Sequence, residues 1–343
     1  MTTIKSIFKN GKLLNGEKIM FETYQGENFT FSQFASKVKD IQNTLYYYRI
    51  TKGDKVAILA EDTPQWNMAF YAITTMGAIA VPIPKYKDAS IIHRITLEAE
   101  CNHLLLQKDI INDATFAKLR EDTHLTIIDI DTLRCILYSN YQQKQQFAYD
   151  NVNSLTMPWV DLSETDLAAA KVDIDPYSVN ITYYTHEELI VDAKEQAAYT
   201  GITEKDVIVS IMPISYSFKK VTTALISVIS GNLTVFKPKH ANFKTILSLI
   251  TDIKPTVIFT VPKVLDLVYK SSMVNDKSKA LIETNVEKIR YFDRLRLKIQ
   301  GSKIYKTLGG KVRVCNLEDD QPKNKRVEKF LKYSGLNFKM KFS

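Results

Sequence analysis

Short, unbroken apolar runs alternate with longer segments whose apolar residues recur every three to four positions. The runs Val56–Ala60, Ala78–Ile83, His103–Gln107 and Leu125–Ile130 predict buried strands. Between them, Trp66–Met76, Ser90–Glu100 and Ile110–Leu119 carry helical spacing. A second series starts at Val179–Tyr184 and continues with Val207–Met212, Asn232–Lys237 and Thr256–Val261. Its intervening helices are expected at Glu187–Tyr199, Lys220–Ser230 and Phe243–Ile253. Continuous apolar strands separated by helices predict parallel sheets covered on both faces, an α/β fold. The stretch from Thr132 to Lys171 breaks the rhythm with a Gln-rich run and reads as a connection. Past Pro262 the pattern is mostly helical to Lys306, followed by a weak strand at Lys311–Leu317. The expected organisation is a first α/β subdomain with its connection over 1–171, a second over 172–320, and a basic tail over 321–343.

Composition changes that picture in two places. Eleven glycines in 343 residues is about 3%, against an average near 7%, so glycine-rich phosphate loops are scarce. The formal net charge is +8, and most of it sits in the tail, where seven basic residues (Lys323, Lys325, Arg326, Lys329, Lys332, Lys339, Lys341) face one acid, Glu328. The remainder is nearly neutral, which argues against a nucleic-acid-binding face. The tail reads as a solvated helix face, with contact to an acidic partner or membrane surface as the alternative. Cys101, Cys135 and Cys315 are far apart without CxxC spacing, as in a reducing compartment. The polar N-terminal run does not read as a secretory signal, and Met68–Pro84, interrupted by Gly77 and two prolines, does not read as a membrane span. The expectation is a cytoplasmic protein with no transmembrane segment.

Motifs for several chemistries are missing. The sequence holds no GxGxxG, no GxxxxGK[ST] and no GxSxG. No histidine pairs with another ligand at metal spacing, so no metal site is expected. His186-Glu187-Glu188 reads as a helix start: Thr185 suits the N-cap, and acids suit the positive end of the helix dipole. Asp319-Asp320 after Glu318 reads as a solvated acidic turn.

Taken in order, several stretches resemble the N-terminal part of the adenylate-forming acyl-CoA synthetases, in particular the long-chain fatty acid–CoA ligases. They are FTFSQF (29–34), KGDKVAILAEDTPQW (52–66), AFYAITTMGAIAVPIP (69–84), DVIVSIMPISYSF (206–218), KPTVIFTVPKVLDLVY (254–269) and LGGKVRV (308–314). The resemblance implies two α/β subdomains without the family's β-barrel and C-terminal domain. It also implies an ancestral activity: ATP and Mg activate a carboxylate as its adenylate, and CoA then takes the acyl group.

Against the family pattern the chain departs at the residues that would hold nucleotide. The phosphate-cradling loop belongs directly after the strand ending at Tyr184, yet Thr185-His186, resembling the family's post-loop Thr-His, follows at once. Tyr216 stands where relatives carry a histidine. NLEDDQP follows LGGKVRV in place of a small glycine-rich turn, and Ser343 precedes the family's magnesium-binding glutamate and catalytic lysine. The resemblance therefore implies a degenerate, non-catalytic protein with no catalytic residue and no bound ATP, Mg or CoA. Such a protein would act as an acyl-binding or scaffolding module. Phe218, Pro262 and Lys263 are the candidate acyl-cleft residues, though a strand end and helix packed on the sheet also fits Pro262-Lys263, and core or rim packing also fits Tyr216 and Phe218. A fatty acyl ligand and a protein partner at a truncated sheet edge are the partners implied. The alternative is one half of a split fatty acid–CoA ligase completed by a second chain. A decayed reading frame is the third reading.

Overall fold

The computed structural model describes residues 2–84, 88–121, 124–137, 139, 156–175, 177–212, 218–261, 264, 267–268, 302, 305–317 and 339–340. In chain order the elements are α1 (Ile4–Asn15), β1 (Ile19–Thr23), β2 (Asn28–Thr30), α2 (Phe31–Tyr47), β3 (Lys55–Leu59), α3 (Pro64–Thr75) and β4 (Ile79–Pro82). Next come α4 (Ala89–Glu98), β5 (His103–Leu106), α5 (Asp113–Arg120), β6 (Thr126–Asp129), β7 (Cys135–Leu137), β8 (Leu167–Ile174) and β9 (Val179–Thr185). The last group is α6 (His186–Thr200), β10 (Val207–Ser210), α7 (Lys219–Ser230), β11 (Leu233–Phe236), α8 (Phe243–Ile253), β12 (Val257–Thr260), β13 (Val314–Leu317) and β14 (Lys339–Met340). Both series of strands and helices expected from the apolar pattern are present. The fold is α/β with two mostly parallel sheets.

Two units divide the chain. The first gathers residues 1–20, 28–196 and 214–231; the second gathers 21–27, 197–213 and 232–343. The units interleave along the chain because strands distant in sequence pair. The first sheet runs β7-β6-β5-β3-β4-β8-β9. Its centre is parallel, with β3 between β4 and β5. β8 joins β4, and β9 turns back antiparallel on β8 with Tyr184 opposite Ala169. The strand at 179–184, grouped by sequence with the second series, thus belongs to the first sheet. Its alternating apolar and polar residues suit an edge strand.

One face of this sheet packs Ala57, Leu59, Val81, Leu104, Leu106 and Ile127 against Ile92 and Ile95 of α4 and Leu119 of α5. Elsewhere in the unit α3 is buried along nearly its whole length. Phe8 of α1 stacks on its Tyr71 at 4.7 Å, and Phe34 of α2 meets the same ring edge-on at 5.8 Å. Thr3 and Thr30 each close a capping box at the start of their helices.

In the second unit the parallel strands run in the order β14-β13-β12-β10-β11-β1. Val209, Ile211, Val235, Ile258 and Cys315 pack against Leu249 and Ile250 of α8. At the start of β13, Arg313 donates Nε to Asp206 Oδ1 at 2.8 Å, and its two terminal nitrogens reach the Thr200 and Gly201 carbonyls at 3.1 and 2.8 Å. Thr256 Oγ1 donates to the same carboxylate at 2.7 Å. The Asp206 carboxyl is buried, yet these donors, Arg313 foremost among them, hold its pKa down at about 2. Residues 321–343 and the expected helices between Pro262 and Lys306 fall mostly outside the described residues.

Candidate functional site

Tyr184, Thr185 and His186 lie at the corner where β9 passes into α6. Thr185 is the last residue of the strand and His186 the first of the helix, so no residue intervenes. Thr185 and Glu188 form a reciprocal pair. The Glu188 N–H donates to Thr185 Oγ1 at 3.2 Å, and the Thr185 N–H donates to Glu188 Oε2 at 2.8 Å. That is a capping box, the helix start expected from the residues.

The exposed N–H groups of a helix start are what make it an anion site. Here they are already used. The His186 N–H donates to the Asp166 carbonyl at 3.0 Å and the Glu187 N–H to the Glu164 carbonyl at 3.0 Å. The Glu188 N–H is held by Thr185, as above. Both Glu187 and Glu188 lie in the first turn, so an approaching phosphate meets two carboxylates where the helix dipole would otherwise attract it.

His186 is fully buried. Its Nδ1 accepts the Ile4 N–H at 3.3 Å, which fixes the start of α1, and its Nε2 has no hydrogen-bond partner among the described residues. Burial lowers its pKa to about 4; Asp166 pulls it upward and Lys52 downward. The ring is neutral at pH 7 and has a structural task. Asp166 itself is held by Lys52, whose Nζ lies 2.7 Å away, and its carboxyl pKa is lowered by that bond.

Of the residues singled out from the sequence, the structure brings Tyr184, Thr185, His186 and Phe218 to this corner. The Tyr184 and Phe218 rings lie 5.0 Å apart, tilted by 35°. Tyr183, on the opposite face of β9, donates its hydroxyl to the Ala99 carbonyl at 3.3 Å. Tyr216, Pro262 and Lys263 lie outside the described residues, as does the acidic run 318–320. Sequence reasoning missed Glu164 and Asp166, whose carbonyls close the helix start. The Ser163-Glu-Thr-Asp166 turn signal was present: Ser163 N–H donates to Asp166 Oδ2 at 2.9 Å. Nothing local says which helix that turn faces.

The family model described as AMP-binding enzyme matches residues 14–173 and 182–332. The chain belongs to the AMP-binding enzyme family. The two matched stretches are interrupted over 174–181, just ahead of the closed corner. Among relatives, the chain is 20% identical over 288 residues to 4-coumarate–CoA ligase 1 of Petroselinum crispum, with 81% of this chain and 50% of that protein covered. It is 22% identical over 335 residues to long chain acyl-CoA synthetase 3 of Arabidopsis thaliana, covering 88% and 49%. The chain therefore spans about half the length of the curated relatives it matches. Among solved structures, the inhibitor-bound N-terminal domain of FACL13 from Mycobacterium tuberculosis aligns with a TM-score of 0.74 at 14% identity, covering 100% of this chain and 76% of that one. O-succinylbenzoate CoA synthetase (MenE) from Bacillus subtilis aligns with a TM-score of 0.68 at 16% identity, covering 97% and 60%. The α/β architecture expected from the sequence is that of the N-terminal part of adenylate-forming enzymes.

Proposed function

We propose that this chain is a non-catalytic member of its family, an acyl-binding or scaffolding module without adenylation activity. The observation that carries the reading is the β9–α6 junction. Adenylyl transfer relies on preorganised donors around phosphate. Where the resemblance puts a loop of such donors, the strand passes directly into a helix whose first N–H groups are consumed by the chain itself. A single substituted side chain elsewhere does not replace a backbone cradle.

The relatives are named for joining coumarate and long-chain acids to CoA, so an apolar carboxylic acid is the ligand class this module would retain. On this reading ATP, Mg and CoA are not cofactors of the chain. Completion by a second chain, the split-ligase alternative, meets the same obstacle, because a partner does not insert amides between Thr185 and His186.

Calorimetric titration with ATP and magnesium tests the proposal. The expected result is no heat of binding up to millimolar nucleotide. Micromolar affinity, or pyrophosphate release with any fatty or hydroxycinnamic acid, overturns it. Displacement of a fluorescent fatty acid from the chain tests the acyl-binding part separately.

A further inference from the structure

We infer that the C-terminal turn of α1 is a docking point for an anionic lipid surface. The helix is amphipathic in an unusual sense. Its apolar stripe of Ile4, Phe8 and Gly11 is buried in the first unit, so its outer face is the one left to bind. That outer face carries Lys9 and Lys12, both exposed, and the helix itself holds no acid; Lys5, at its flank, is half-buried with Asp161 nearby. At 100° per residue these lysines and Leu13 fall on one stripe, spaced i, i+4, i+7, i+8.

Leu13 and Leu14 are 73% and 83% exposed and adjacent at the helix end. Isolated exposed leucines need no explanation. Two side by side, next to Lys12 and one turn after Lys9, make a small apolar tip beside two lysines, with Glu17 three residues on. At the other end of the helix, Trp159 is 78% exposed with Lys5 Nζ 3.6 Å above its ring. Lys5 also donates to the Val160 carbonyl at 2.6 Å, which pins that tryptophan beside the lysine stripe. Exposed leucines and an exposed tryptophan flanking Lys9 and Lys12 match the headgroup region of a bilayer bearing negative charge. Lys5 is held by its partners within the chain, so Lys9 and Lys12 are the cations this face offers to an anionic surface.

Two leucines and two lysines give weak, reversible attachment, with each lysine worth roughly fivefold in partitioning at low salt. The test is sedimentation of the full chain with vesicles of phosphatidylcholine alone and with added phosphatidylserine. Binding is expected only to the anionic vesicles and is expected to fall with salt. Lys9→Gln with Lys12→Gln should lower partitioning on the order of 25-fold. Leu13→Ser with Leu14→Ser should abolish it, with the far-ultraviolet circular dichroism and melting temperature unchanged in both. The basic tail offers a second cationic segment, so the α1 variants carry the decision. Equal binding of both variants and the parent overturns the proposal, and so does equal binding to neutral and anionic vesicles. Lipid-free self-association that Leu13→Ser with Leu14→Ser abolishes also overturns it, and reassigns the tip to a second copy of this chain. The ATP titration above does not depend on any of these outcomes.

Discussion

Replacing His186 by asparagine should flatten the acid dependence of stability. Asparagine keeps an acceptor at the position of Nδ1, which receives the Ile4 N–H, and removes the only titrating group of that side chain. In the folded protein burial lowers the histidine pKa from 6.5 to about 4. In the unfolded chain it returns to about 6.5. Between those values the unfolded state holds a proton that the folded state does not, so stability falls as pH falls through that window. The window of about 2.5 units, at 1.36 kcal/mol each, sets a ceiling of roughly 3 kcal/mol, and about 2 kcal/mol of that is lost between about pH 7 and about pH 4.5. Asp166 contributes in a lower range, because its carboxyl pKa is lowered below the ordinary value of 3.8. His103, also buried and lowered by desolvation, adds to the same window in parent and variant alike. Urea denaturation at the two pH values, run on parent and His186→Asn, isolates the His186 share. A pH-dependent loss that is the same in both proteins refutes the assignment of a buried neutral histidine at this corner.

Thr185→Ala removes half of the capping box and should cost about 1 kcal/mol of stability, read as a lower thermal midpoint, without creating nucleotide affinity. Arg313→Ala leaves the Asp206 carboxylate, only 5% exposed at its side chain, without its guanidinium. The expected loss is about 2 kcal/mol. Because the Asp206 pKa is lowered to about 2, the contribution of the pair is fully present above the usual carboxylate range and is lost only as pH falls toward that value. Stability curves at several acid pH values check this. With the nucleotide titration and the vesicle assay, these measurements separate the closed corner, the second unit's clasp and the α1 surface.

The sequence by itself determined the alternation of strands and helices. Continuous apolar runs such as 104–106 and 257–259 can satisfy themselves only in a sheet covered on both sides, and three- to four-residue periodicity demands helices between them. It also fixed the start of α6, since Thr185 and Glu188 are three residues apart and their bond is local. That the strand passes into the helix with no residue between them was legible for the same reason. Only the tertiary structure decided which sheet β9 joins, because its partner β8 carries a polar end and no sequence rule names a strand's neighbour. It alone placed the Glu164 and Asp166 carbonyls over the N–H groups of α6 and the His186 ring beneath Ile4, 182 positions apart. Those bonds join segments distant along the chain. Their geometry depends on how strands and helices pack, which residue spacing does not encode.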